Sequence, residues 1–361
     1  MPGIVIASFV VLLLLLFFGI VRGIYPAYVR ANHKINTPNG IDQMEMVEIG
    51  GIKQALYFRG EDKDNPVILF IHGGPGDGII QYLHAYQYDW EKDFTIVDWD
   101  QRNSGKTLAA NDPEAVAATL SGELLLSDAH EVTQYIKIKL GKDKIVVMGQ
   151  SWGSVLGTML VQTYPEDYNM YIVTGHTINF ADNARVSYER VLNAAREAGN
   201  QKDVDALMAI APYPPATFDE SVVGLVMTVA KYQTKYKLAV TFDLGSLIPI
   251  FTTPYCTTGE LLSVVKGITK LVEYQGDLYR FLFEDYDARN YGTEYKVPIY
   301  CLQGENDWQT PYTLSKDFFE EITAPDKKFF TISGAGHATN IDNKAEFTRV
   351  LLEELRPLLD K

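Results

Sequence analysis

The sequence predicts an α/β fold: a mostly parallel β-sheet flanked by helices, a mainly helical cap inserted after a central strand, and an N-terminal transmembrane helix. Three observations carry this. Short apolar, β-branched runs at residues 67–71, 145–147, 170–174 and 297–302 alternate with longer helical patterns, as parallel strands joined by crossover helices do. Between residues 179 and 296 the strand signals stop and helical, aromatic-rich segments take over, so an insertion interrupts the alternation. Near the N-terminus, residues 4–21 form an almost unbroken apolar run, and roughly 17–25 helical residues suffice to cross a bilayer core.

In chain order, residues 4–21 are expected to be an uncleaved anchor. No basic stretch precedes them, their apolar core is long, and no small-residue cleavage site follows. Arg22, Arg30 and Lys34 lie on the C-terminal side of the run; by the positive-inside rule these charges weakly favour a cytoplasmic catalytic domain. Residues 1–30 are therefore read as a membrane anchor and residues 31–43, with Pro38-Asn39-Gly40, as a polar linker. Two strand-like runs follow around Gly50-Gly51, a hairpin signal. Residues 67–71 are fully apolar and end in His72-Gly-Gly-Pro-Gly76, and residues 94–99 run into Asp100-Gln-Arg-Asn-Ser-Gly-Lys106. A helix near 120–140 leads to the strand at 145–147. Strand signals resume at 297–302 and 329–332, and an amphipathic helix at 344–360 follows. The core comprises residues 44–178 and 297–361. The cap, residues 179–296, is expected over the sheet's C-terminal edge, where open α/β sheets bind their ligands.

The chemistry centres on Gly149-Gln-Ser-Trp-Gly153, which ends a buried strand and opens a helix. In such a G-x-S-x-G elbow the serine sits in a strained turn, so both glycines must be free of side chains for strand and helix to close around it. Ser151 is then exposed above the sheet edge, and the helix N-terminus aims N–H groups at any charge forming there. A serine hydroxyl needs a base within hydrogen-bond reach. In this arrangement the acid and then the histidine follow the serine along the chain. His337, in a glycine turn after the last strand, and Asp307, after the strand before it, occupy those places. Glu305 is the competing acid but lies closer to the strand end. Two backbone N–H groups should form an oxyanion hole, one from Trp152 and one from Gly73 or Gly74. His176, just past a strand at the same edge, is a candidate substrate contact.

The formal net charge is −14 and no basic tract follows the first few dozen residues, so nothing neutralises phosphate and nucleic acid binding is excluded. The two cysteines and six histidines make none of the recognised zinc spacings. No metal and no other cofactor is expected.

Taken together, His72-Gly-Gly-Pro-Gly76, Asp100-Gln-Arg-x-Ser-Gly105 and Gly149-x-Ser-Trp-Gly-Ser154 resemble the α/β-hydrolase family of proline iminopeptidases. The resemblance runs from about residue 45 to the C-terminus, and the segment 184–199 is similar to the first cap segment of a peptidase-like bacterial branch. It implies a serine nucleophile at Ser151, an acid at Asp307, a base at His337, and a small peptide or amide substrate with a free N-terminus. There are departures. Asn103 stands where the family has glycine and Lys106 where it has arginine. The family's tryptophan-rich cap motif, whose glutamates hold the substrate amine, is missing; Glu220, Glu260, Glu273 and Glu284 are the available acids. A membrane-anchored aminopeptidase-like serine hydrolase is therefore expected. An esterase acting on small or lipophilic esters is the alternative within enzymes, and a non-catalytic tethered binding module the alternative outside them.

Overall fold

The computed structural model describes residues 19–238, 244–269 and 271–360; at residues 220, 244–247, 264–269 and 271–275 it describes the backbone alone. The strands are β1 (Ile41–Ile49), β2 (Ile52–Gly60), β3 (Val67–Ile71), β4 (Thr95–Asp100), β5 (Ile145–Gln150), β6 (Tyr168–Thr174), β7 (Ile299–Gly304) and β8 (Lys327–Ile332). Among the described residues these form one eight-stranded sheet in the order β1-β2-β4-β3-β5-β6-β7-β8. β1 and β2 make an antiparallel hairpin with Ile49 opposite Ile52. Its turn residues Gly50 and Gly51 have φ of +53° and +76°, as a two-residue turn matching strand twist requires. β2 pairs antiparallel with β4, and every other pairing is parallel.

The central strands are buried on both faces, which is why they read as continuous apolar runs. On one face Leu69, Val97 and Val147 pack against Leu125, Val132 and Ile136 of a long helix and Val155, Leu156 and Leu160 of another. On the other, Ile68, Phe70, Val146 and Met148 meet Leu83, Trp90, Phe347 and Leu351. Fully burying each such side chain contributes about 1.5–3 kcal/mol. In chain order the helices are α1 (Tyr25–Asn32), α2 (Gly105–Ala110), α3 (Pro113–Ala117), α4 (Gly122–Leu140) and α5 (Trp152–Thr163). Ser121 caps α4 by accepting from Leu124 N–H, and Gly141, at φ 64°, ends it, so both ends carry local sequence signals.

Between β6 and its neighbour β7 lie α6 (Phe180–Glu197), α7 (Gln201–Met208), α8 (Glu220–Lys235), α9 (Leu244–Thr252), α10 (Thr258–Thr269) and α11 (Leu271–Arg280). α6, α7 and α8 enclose a separate apolar cluster that includes Val191, Leu192, Leu207 and Val229, whereas Leu278 of α11 packs in the main core. After β7 come α12 (Tyr312–Glu321), α13 (Thr339–Asp342) and α14 (Lys344–Arg349).

The expected membrane anchor, and the membrane localisation read from it, are corrected. Among the described residues no helix is long and apolar enough to cross a membrane. Residues 4–18 of the apolar run lie outside the described residues. Two of the three charges read as flanking an anchor have other partners: Arg22 donates to the carbonyls of Phe251, Thr253 and Cys256, and Arg30 to that of Pro254. They fasten the N-terminal helical segment to the end of α9 and the stretch that follows it, an arrangement that no local pattern in the sequence announces.

Candidate active site

The site is built where β3, β5, β6 and β7 end. Ser151 follows β5 with φ 54° and ψ −119°, a conformation that a residue with a Cβ holds only under strain. The glycines around it are required sterically. A Cβ on Gly149 would stand 2.5 Å from Gly153 O, and one on Gly153 would stand 2.0 Å from Ile71 O. Further bonds fix the turn: Ser151 N–H donates to Thr174 O at 3.0 Å, and Ser154 Oγ donates to Ser151 O at 2.6 Å.

Ser151, His337 and Asp307 meet. Ser151 Oγ is 2.9 Å from His337 Nε2, and His337 Nδ1 is 3.0 Å from Asp307 Oδ2. An ionised carboxylate only accepts, so Nδ1 carries the proton and bare Nε2 accepts from the serine hydroxyl. Asp307 is fully buried and has its orientation set by four further donors. Oδ1 accepts from the N–H groups of Gln309 and Thr310, and Oδ2 from Gln303 Nε2 and Thr310 Oγ1. Glu305 is exposed and accepts from Gly334 N–H, so it braces the turn that carries His337 and is not the imidazole's partner. Gly175, at φ +56°, passes beneath the imidazole; a Cβ there would stand 3.0 Å from His337 Cε1.

The loop after β3 lies over the nucleophile. A Cβ on Gly73 would be 3.2 Å from Ser151 Cβ and 3.8 Å from its Oγ. Trp152 N–H, at the first position of α5, has no intrahelical partner. The motif residues after β4 hold these parts together. Gln101 Nε2 donates to His72 O at 3.2 Å, while its Oε1 accepts from the Trp152 indole at 2.9 Å. Asp100 accepts from the N–H groups of Ile79, Ile80 and Lys106. Arg102 bonds Asp128 through two nitrogens and also Gly50 O, tying the first hairpin to α4. Gln101 N–H donates to His72 Nε2, so Nδ1–H donates to Gly73 O at 2.6 Å. Burial lowers the pKa of His72, which keeps this latch neutral.

The remaining candidates whose side chains are described have partners of their own or are buried elsewhere. Glu260 is paired with Lys106 Nζ at 2.7 Å and also accepts from Thr257 N–H and Oγ1. Glu284 is exposed and accepts from Phe218 N–H at 2.8 Å. The side chains of Glu220 and Glu273 lie outside the described residues. His176 is buried against Phe318, with neither ring nitrogen hydrogen-bonded; burial alone lowers its pKa to about 3. It is neutral, and its link to the triad runs through its main chain: His176 N–H donates to Gln303 Oε1, and Gln303 donates to Asp307. Gln303, Thr310, Gln101 and Gly175 are contributors that the sequence reading did not single out. Gln303 had a signal, since a lone amide inside an apolar strand must find partners.

Comparison with known proteins places these features among relatives. Residues 66–344 match the family described as alpha/beta hydrolase fold. The chain is 28% identical over 323 residues to the probable aminopeptidase YbaC of Bacillus subtilis (strain 168), covering 87% of this chain and 96% of that protein. It is 30% identical over 130 residues to the proline iminopeptidase of Neisseria gonorrhoeae, covering 36% of this chain and 38% of that one. Among solved structures, the proline iminopeptidase of Mycobacterium smegmatis superposes with a TM-score of 0.60 at 16% identity, covering 88% of this chain and 100% of that one. At that identity the likeness is one of fold.

Proposed function

The chain belongs to the alpha/beta hydrolase fold family, and on that premise we propose that it is a proline iminopeptidase-like serine hydrolase cleaving small peptides or amides with a free N-terminus. The reading is supported above all by one observation, the continuous pair of hydrogen bonds from Ser151 through His337 to Asp307. As Ser151 Oγ attacks the scissile carbonyl carbon, His337 Nε2 takes its proton. The resulting alkoxide is held by Trp152 N–H and by the N–H of Gly73 or Gly74, where one such donor is worth about 2.7–4 kcal/mol. Asp307 stabilises the imidazolium, which returns the proton to the leaving amine as the C–N bond breaks and an acyl ester remains on Ser151. Water then attacks that ester, giving its proton to His337, and Ser151 Oγ leaves with the proton back in place. Residues 179–296 act as a cap that screens substrates by size; Ser187 and Gln233 donate to the carbonyl of Trp308, next to Asp307, so the cap and the acid loop are held as one.

The test is turnover of aminoacyl arylamides by the Ser151→Ala variant. A loss on the order of 10⁶-fold in kcat is expected when a triad nucleophile is removed. Undiminished turnover would end the reading.

A further inference from the structure

Asp77 directly follows the glycine loop that lies over the nucleophile. Its Cβ is 3.5 Å from where a Cβ on Gly74 would stand, and a Cβ on the neighbouring Gly73 would stand 3.2 Å from Ser151 Cβ. The side chain is half-buried, and the protein uses only one of its oxygens. Oδ1 accepts from Gly78 N–H at 3.0 Å and from Gln81 Nε2 at 3.3 Å; no hydrogen bond from a described residue reaches Oδ2.

No cation among the described residues pairs with this carboxylate. The nearby Asp100 is satisfied by backbone N–H groups, and the ammonium of Lys106, on the same turn, is taken up by Glu260. Burial, with the charge of Asp100 adding to it, pushes the Asp77 carboxyl up to about 7, as expected of an acid without a counter-charge. A lone negative charge beside an oxyanion hole opposes the alkoxide that the hole must stabilise. That conflict disappears when the substrate brings a positive charge of its own. A free α-ammonium does this, because it lies two bonds from the carbonyl under attack. The two candidate cap acids whose side chains are described are less suited: Glu260 is neutralised by Lys106 and Glu284 is engaged by Phe218 N–H.

We propose that Asp77 is the specificity-determining carboxylate of this site and receives the ammonium of the substrate's first residue through Oδ2. The inference rests on the aminopeptidase reading and sharpens it: the preferred substrates are unblocked aminoacyl compounds, selected by the oxyanion loop.

The experiment compares wild type with Asp77→Asn on alanyl arylamide and a neutral nitrophenyl ester, with L-alaninamide and N-acetyl-alaninamide as inhibitors of ester turnover. In wild type, alaninamide should inhibit competitively and far better than its acetylated form. In Asp77→Asn that preference should vanish, and the ratio of arylamide to ester kcat/KM should fall about 10²-fold, mainly through KM, as when one partner of a desolvated charge pair is lost. Both quantities are independent of how much of the variant folds. The wild-type inhibitor comparison needs no variant at all: equal inhibition by the two amides would overturn the proposal. So would an unchanged ratio in Asp77→Asn. A wild type that turns over the ester but not the arylamide would instead contradict the aminopeptidase reading, while an alaninamide preference lost in Asp77→Asn would still support the ammonium site.

Discussion

Ser151 is held at a positive φ that a residue with a side chain rarely adopts, and the residues touching it explain how that strain is sustained. Gly175 acts one step away, on the imidazole that serves Ser151. Its own positive φ and the 3.0 Å approach that a Cβ would make to His337 Cε1 mean that Gly175→Ala should displace the imidazole. A misplacement of about 1 Å costs on the order of 10²-fold in rate, so kcat should fall by that order while KM changes little and the protein stays folded. Steady-state kinetics with a thermal melt checks this; a folded variant with unaltered kcat would contradict it. Ser151, Asp307 and His337 were legible in the sequence because each follows a strand in an order that the elbow itself suggests. Gly175 and Thr310 were not, since only the fold brings them to the imidazole. Glu260 was a candidate for the substrate amine for the complementary reason: nothing local in the sequence places Lys106 against it.

At the scale of elements, β4 and the turn after it do most of the organising, and β4 carries an unusual cost. Asp98 is buried within the strand with neither carboxyl oxygen hydrogen-bonded. Burial pushes its pKa well above the ordinary carboxylate value, with Glu91 and Asp100 adding to the effect while Gln87 and Arg59 oppose it. The folded state therefore keeps this proton at pH values where the unfolded chain has released it. Its contribution is favourable only below the unfolded value, about 3.9, and stability is lost as pH rises from there toward the folded value, by up to about 1.4 kcal/mol per pH unit. Asp98→Asn should remove that loss, so the variant should gain most over wild type at pH 8 and least at pH 5 in urea unfolding. An identical pH dependence in both proteins would contradict this. The strands were legible as elements because burial on both faces leaves an unbroken apolar run, and the Gly50-Gly51 hairpin because its turn needs two residues at positive φ. The attachments of helices α6–α11 were not, because they depend on single long-range contacts such as Gln233 to Trp308.

Across the whole molecule, the most buried ion pair between the helical insertion and the core, among the described residues, is Lys106–Glu260. Burial alone would raise the Glu260 carboxyl, but the Lys106 ammonium and the Thr257 donors outweigh it and hold the pKa below the usual value. A lowered folded value means that this contribution is complete above the unfolded carboxylate range, about 4.3, and is lost as pH falls through the folded value. A double-mutant cycle with Lys106→Met and Glu260→Gln should give a coupling of about 1–2 kcal/mol at pH 7, reduced by the exposure of Glu260, and the coupling should fall as the pH drops through the lowered folded value; no coupling at pH 7 would contradict it. The anchor expectation failed at this scale as well. Arg22 and Arg30 looked like charges flanking a membrane span, yet their partners are carbonyls more than two hundred residues away. The central claim, that a serine made nucleophilic by His337 and Asp307 carries out acyl transfer, is tested most directly by treating the full chain with a fluorophosphonate and locating the adduct by mass spectrometry. The prediction is one adduct, on Ser151, that disappears in His337→Ala. No adduct, or one on another residue, would contradict it.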